Sequence, residues 1–175
     1  MADPRWLKRA KEYIGLREFP GKQHNPFILR MWSLIKAPFK DDETPWCAGF
    51  VGGVLEEVDL PDLPKVTFGI MSTRSAMARS YVKYGKALSK PYPGCIVVFW
   101  RGSKSGSQGH VGFFDGYDQH GNLWIVGGNQ GDRVSRAIFG RDRVLAYRWP
   151  PGEPLPDAVP VAVSKSDGKV STNEA

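Results

Sequence analysis

The stretch Thr44-Pro45-Trp46-Cys47-Ala48-Gly49-Phe50-Val51-Gly52-Gly53-Val54-Leu55 decides how the rest of the chain is read. Thr44 suits an N-cap, its hydroxyl accepting from the free N–H groups of a first turn, and Pro45 suits the first helical position. Cys47 then falls in that turn, where the positive end of the helix dipole and open N–H donors favour the thiolate. It is a candidate nucleophile; the competing reading is a small buried apolar residue. Gly49, Gly52 and Gly53 each cost a helix about 1 kcal/mol relative to alanine. Close packing of another element on their backbone explains them, with the helix buried against a sheet. Glu56 and Glu57 are expected at its solvated far end.

Working outward, Asp41, Asp42 and Glu43 precede this helix. They either favour its N-terminus electrostatically or offer one carboxylate, Asp42, to a cationic group of a substrate. Further upstream, Asp3 and Pro4 open a helix carrying Trp6, Leu7, Ala10, Tyr13 and Ile14 at three-four spacing, closed by Gly15. Asn25-Pro26 opens a second one, with Phe27, Ile28, Met31, Trp32, Leu34 and Ile35 as its apolar face and Ala37-Pro38 as its end. Trp6 and Trp32 read as core. Downstream, a Pro-rich link (Leu60-Pro61-Asp62-Leu63-Pro64) leads to a helix expected from Ser72 through Tyr84.

From Cys95 the period changes to short β-rich runs: C-I-V-V-F-W, H-V-G-F-F-D, L-W-I-V-G-G, R-V-S-R-A-I-F and V-L-A-Y-R-W. Helices followed by an antiparallel meander make an α+β domain, expected over residues 1–150. The polar Gly102–Ser107 loop before His110 is either a cleft cover or a plain connection. Residues 151–175 show no period and read as a disordered tail or linker.

His110 opens a strand, and the following hairpin loop is centred near Asp118 to His120. Pairing around that centre sets His110 opposite Gly128, so that the Asn129 side chain comes near the imidazole. A cysteine nucleophile needs an imidazole to take its proton, and the imidazole needs a third polar group to hold its tautomer. Asn129 can supply that acceptor. Gln130 is the fallback, although alternation points it to the opposite face. His24, in a loop, and His120, at a turn, read as solvated. Cys95 reads as core.

Length and 41% hydrophobic content suit one proper core. Two cysteines and three histidines, without zinc-ligand spacing, give no reason to expect a metal or other cofactor. No apolar run approaches 18 residues and the N-terminus lacks a signal-peptide core. The expectation is a monomer with no integral membrane segment, made in the cytoplasm and needing assisted release to act outside. The formal charge is +6. Residues 151–175 hold two lysines against four carboxylates, so the body carries +8. Such a surface attracts anionic polymers. The basic residues form no run of five or six and no aromatic-basic RNA motif, which argues against nucleic acid.

Four ordered motifs carry a resemblance: W-C-A-G-F at 46–50, P-G-C-I-V-V-F at 93–99, G-H-V-G-F at 109–113 and G-G-N-Q at 127–130. Together they resemble the NlpC/P60 and CHAP superfamily of papain-like cysteine peptidases and amidases. A branch found in phages, prophages and bacteria also shares W-L-K-x-A, H-N-P, D-D-E-T-P-W-C and the closing Y-R-W-P, so the resemblance covers roughly residues 5 to 150. It implies a papain-like α+β fold acting on the stem peptides or crosslinks of peptidoglycan, as amidase or endopeptidase. Cys47 would be the nucleophile, His110 the base and Asn129 the third member; separately, Trp46, Asp42 and Gln130 are expected to line the substrate. Cys95 departs from the usual P-G-D, which bears on local turn capping rather than activity. Two rival uses are a catalytically idle wall- or partner-binding module and an antibacterial toxin employing the same chemistry.

Overall fold

The computed structural model describes residues 3–58, 69–157 and 161–172; the Pro-rich link at 60–64 lies outside them. Helix α1 spans Arg5–Glu12. Pro4 is its N-cap residue, and the Asp3 carboxylate bonds Lys11 at 2.8 Å instead of capping as expected. Helix α2 spans Pro26–Leu34 and begins as its sequence predicts, with the Asn25 side chain accepting from the Phe27 N–H at 2.9 Å.

Helix α3, Cys47–Glu57, is central: every residue from Cys47 to Glu56 is buried. It starts at Cys47 with Trp46 as N-cap, two residues later than Thr44-Pro45 suggested. The Asp41 carboxylate takes the Glu43 and Thr44 N–H groups at 3.1 and 2.6 Å, a local turn that holds Thr44 out of the helix. The glycines meet the expected close approach, but α2 makes it, not the sheet. A Cβ on Gly49 would sit 2.7 Å from Trp32, one on Gly52 2.6 Å from Ile35, and one on Gly53 against Met31. Three missing side chains let two helix axes approach. The other side of α3 packs on the sheet.

Glu56, expected in solvent, is buried, and Glu57, also expected there, is partly buried with its side chain only 5% exposed; both are held in ion pairs. Glu57 accepts from Tyr13 at 2.6 Å and pairs with Arg30 at 2.6 Å. Glu56 takes Arg74 in two bonds, 2.9 and 3.1 Å, together with the Ser72 N–H and hydroxyl. That anchor replaces the helix expected from Ser72. Arg74 is held at φ 53°, a left-handed conformation no right-handed helix passes through, so only a short 3-10 turn forms, at Ala78–Lys83.

The sheet has strands β1 (Lys86–Leu88), β2 (Ile96–Trp100), β3 (Gly109–Tyr117), β4 (Leu123–Gly127), β5 (Ser135–Phe139) and β6 (Val144–Trp149), in the order β1-β6-β2-β3-β4-β5. The strands of this sheet pair antiparallel, and the α+β expectation holds. Strands β2 to β5 form the meander, whereas β6 returns to the other side of β2. The three-residue β1 was too short to read. Residues 161–172 bond to the sheet through their backbone: Tyr117 donates to Ala162 O and Ser164 to Tyr117 O, both at 2.9 Å, and Ser171 to Ile138 O at 2.7 Å. A bulge between Phe114 and Tyr117 turns Tyr117's backbone groups toward this segment. Such bonds use main-chain atoms, so no side-chain period announces them.

Candidate active site

Cys47 occupies the first position of α3, where the backbone N–H groups of Val111, on β3, and Ala48 act to lower the pKa of its thiol. Val111 is the residue after His110 on β3. Burial is the largest influence on this thiol and pushes its pKa up to about 11, against the N–H groups and the Arg101 guanidinium, which favour the anion. The resting group is therefore a thiol, correcting the thiolate expected from the helix dipole. Desolvation of a residue only 6% exposed outweighs a half-charge at one helix end. What remains exposed borders an open cleft of about 270 Å³, walled by Pro45, Met77, Arg101, Gln108 and Gly109 among others.

His110 is fully buried. Its ring stacks on Phe139, centroids 5.1 Å apart and planes 3° from parallel, and its Nε2 lies 2.9 Å from Gln130 Oε1. The rest of the network assigns the proton. Gln130 Nε2 donates to Ile125 O at 3.3 Å and to Ser135 O at 2.9 Å, so the atom facing the ring is the amide oxygen, an acceptor. The imidazole must therefore carry hydrogen on Nε2. In the neutral ring Nδ1 is then the basic nitrogen.

The group bonded to Nε2 is thus Gln130, where Asn129 was expected. Partners Phe113↔Val126 and Phe114↔Ile125 project to Asn129 opposite His110, one residue past the expected Gly128. Strand β4 stops at Gly127, and Asn129 turns left-handed at φ 56°. Once the strand has ended, alternation no longer governs, and Gln130 swings onto the imidazole. Gly127 makes room: a Cβ there would lie 2.5 Å from Gln130 Oε1 and 3.4 Å from His110 Nε2.

The three residues expected to line the substrate are all buried. Burial raises the pKa of Asp42, but the Phe19 and Asn25 N–H groups and His24, each at 2.9 Å, outweigh it and hold the carboxyl below its ordinary value. Asp42 ties down the loop before α2 and meets no solvent. That bond also half-secures His24, expected to be solvated, and raises its pKa. Trp46 donates its indole N–H to Glu18 at 2.8 Å and floors Gly128, whose Cβ would lie 2.6 Å from the ring. Gln130 has its amide fully engaged. Short polar stretches beside a nucleophile look like substrate contacts until burial is known.

Sequence reasoning missed Arg79, Arg101 and Phe139. Arg79 donates to the carbonyls of Ser103, Lys104 and Gln108 at 2.8, 2.8 and 2.7 Å, fixing the Gly102–Ser107 loop whose end walls the cleft. No local signal marks it. Phe139 was legible only as a strand residue.

A family model described as the CHAP domain matches residues 39–129, just over half of the chain, and contains both Cys47 and His110. The chain belongs to the CHAP domain family. Gln130 lies one residue beyond the matched segment. No curated protein and no solved structure matches this chain. Membership in the CHAP family points to a hydrolase, a peptidase or amidase, acting on peptidoglycan. Among the described residues no helix is long and apolar enough to cross a membrane.

Proposed function

We propose that this CHAP domain hydrolyses an amide bond of the peptidoglycan stem peptide or crosslink by acyl transfer through Cys47. The observation that carries the reading is the Gln130–His110 bond, since it holds hydrogen on Nε2 of a buried imidazole and makes Nδ1 the basic nitrogen, in the residue next along β3 to Val111, whose N–H acts on the Cys47 thiol. The Cys47 S–H proton passes to His110 Nδ1 as sulfur bonds the substrate carbonyl carbon. N–H groups at the start of α3 stabilise the oxyanion. The C–N bond then breaks, and the leaving nitrogen takes the proton from His110. Water cleaves the thioester and restores the thiol.

Because the resting thiol is neutral, proton transfer accompanies attack rather than preceding it. Gln130 fixes the ring, and Phe139 covers its face. Digestion of purified peptidoglycan, with mass spectrometry of newly exposed amines, tests the reading. Wild-type protein should release new amino termini, and Cys47→Ala should release none. Equal release by both would overturn the assignment.

A further inference from the structure

A second concavity, of about 410 Å³, is lined by Arg17, Glu18, Phe19, Gly131, Asp132 and Arg133 among others. It shares no lining residue with the Cys47 cleft, yet adjoins the candidate catalytic set at two points. Gly131 follows Gln130, the partner of His110, and Glu18 holds the indole of Trp46, the residue before Cys47.

The pocket gathers like charges in pairs. Arg17 and Arg133 face each other across an isolated antiparallel bridge. Bonds from Val134 N to Leu16 O, 2.7 Å, and from Glu18 N to Asp132 O, 2.9 Å, flank that pair, which makes it a non-hydrogen-bonded pair. Side chains stand closest in such pairs, with Cβ atoms about 5 Å apart, and like charges there repel. Burial lifts the Glu18 carboxyl above its ordinary pKa against the pull of the Trp46 N–H, and nearby Asp132 raises it further. Asp132 is set in place by a left-handed backbone, φ 57°.

Among the described residues no salt bridge joins either arginine to either carboxylate. Arg133 donates to the Gly131 carbonyl at 3.3 Å. The site thus keeps two cations together and two anions together, both unneutralised. A ligand with one charge relieves one pair and leaves the other. A ligand bearing a carboxylate and an ammonium on one carbon relieves both, its carboxylate suited to the guanidinium forks.

We propose that this concavity binds a zwitterionic α-amino-acid end, the free end of a diamino-diacid side chain in a stem peptide that reaches Cys47. The identity of the peptide rests on the hydrolase reading above; the charge pattern does not. A lysine side chain, with its ammonium alone, would leave Arg17 and Arg133 facing each other.

Calorimetric titration of Cys47→Ala protein with two synthetic stem tripeptides, one carrying diaminopimelate and the other lysine at the third position, tests the site. The diaminopimelate peptide should bind at least about tenfold more tightly, the difference charge-assisted bonds supply. With R17Q and R133Q combined, the ratio should fall within about twofold. Asp132→Asn, which tolerates the left-handed backbone, should lower the ratio without changing the circular dichroism spectrum. Equal binding of the two peptides, or a ratio that survives R17Q/R133Q, overturns the proposal. Selective binding without cleavage by wild-type protein would refute the hydrolase reading and leave this site standing. Cleavage without selectivity would do the reverse.

Discussion

Replacing Gln130 by methionine keeps the length of the side chain and removes its amide. The Nε2–H of His110, now bonded at 2.9 Å, would face an apolar group in a fully buried place. Leaving a buried donor unmet costs about 1–3 kcal/mol. If that loss falls on the transition state, where the imidazole becomes charged, kcat drops roughly 5- to 150-fold. The same change also strips the acceptors Ile125 O and Ser135 O of their donor, so stability should fall by about 2–4 kcal/mol. For a domain of this size that is a lower Tm by about 5–15 °C. The assay is therefore amide hydrolysis on soluble stem peptide, run well below the Tm of the variant, with Asn129→Gly beside it. Glycine accepts the φ 56° of that position, so this second variant removes the side chain without backbone strain. Gln130→Met is expected to lose more kcat than Asn129→Gly. The reverse order would refute the tautomer argument.

Four further outcomes follow from the same geometry. Alkylation of Cys47 by iodoacetamide should rise about tenfold per pH unit from pH 7 toward its pKa of about 11, because only the thiolate reacts; a plateau below pH 8 would mean a resting thiolate. The same raised pKa, set against an ordinary unfolded thiol, gives a stability contribution that is complete below about pH 8.5 and is lost as pH climbs toward 11, and urea titrations of Cys47→Ala should lack that share. Gly53→Ala should destabilise by about 1–3 kcal/mol, since the added methyl meets the side chain and backbone of Met31; unchanged urea unfolding would mean α2 yields easily. Arg79→Ala should release the Gly102–Ser107 loop and raise KM about three- to tenfold with a smaller change in kcat, alongside faster proteolysis at that loop.

Much of the fold was legible because hydrophobic period reports it directly. The five longer strands, the Asn25-Pro26 helix start and the glycine demand for a close neighbour on α3 all follow from local spacing. The neighbour's identity did not, since three glycines look the same whether a helix or a sheet fills the space. The helix foreseen from Ser72 failed for a related reason. Its residues suit a helix, but a buried Glu56, distant in sequence, draws Ser72 and Arg74 into another conformation.

The sequence by itself determined the chemical types at the site, a cysteine at a helix start and a histidine opening a strand, together with the family to which their motifs belong. Only the tertiary structure decided three things: that the sulfur is a neutral thiol, that Gln130 holds the imidazole, and that Asp42 and Trp46 never meet solvent. Each of these depends on how much water surrounds an atom and on where a chain goes after its last regular strand. Spacing along the polymer carries neither quantity. Both appear only when segments remote in sequence close over one another.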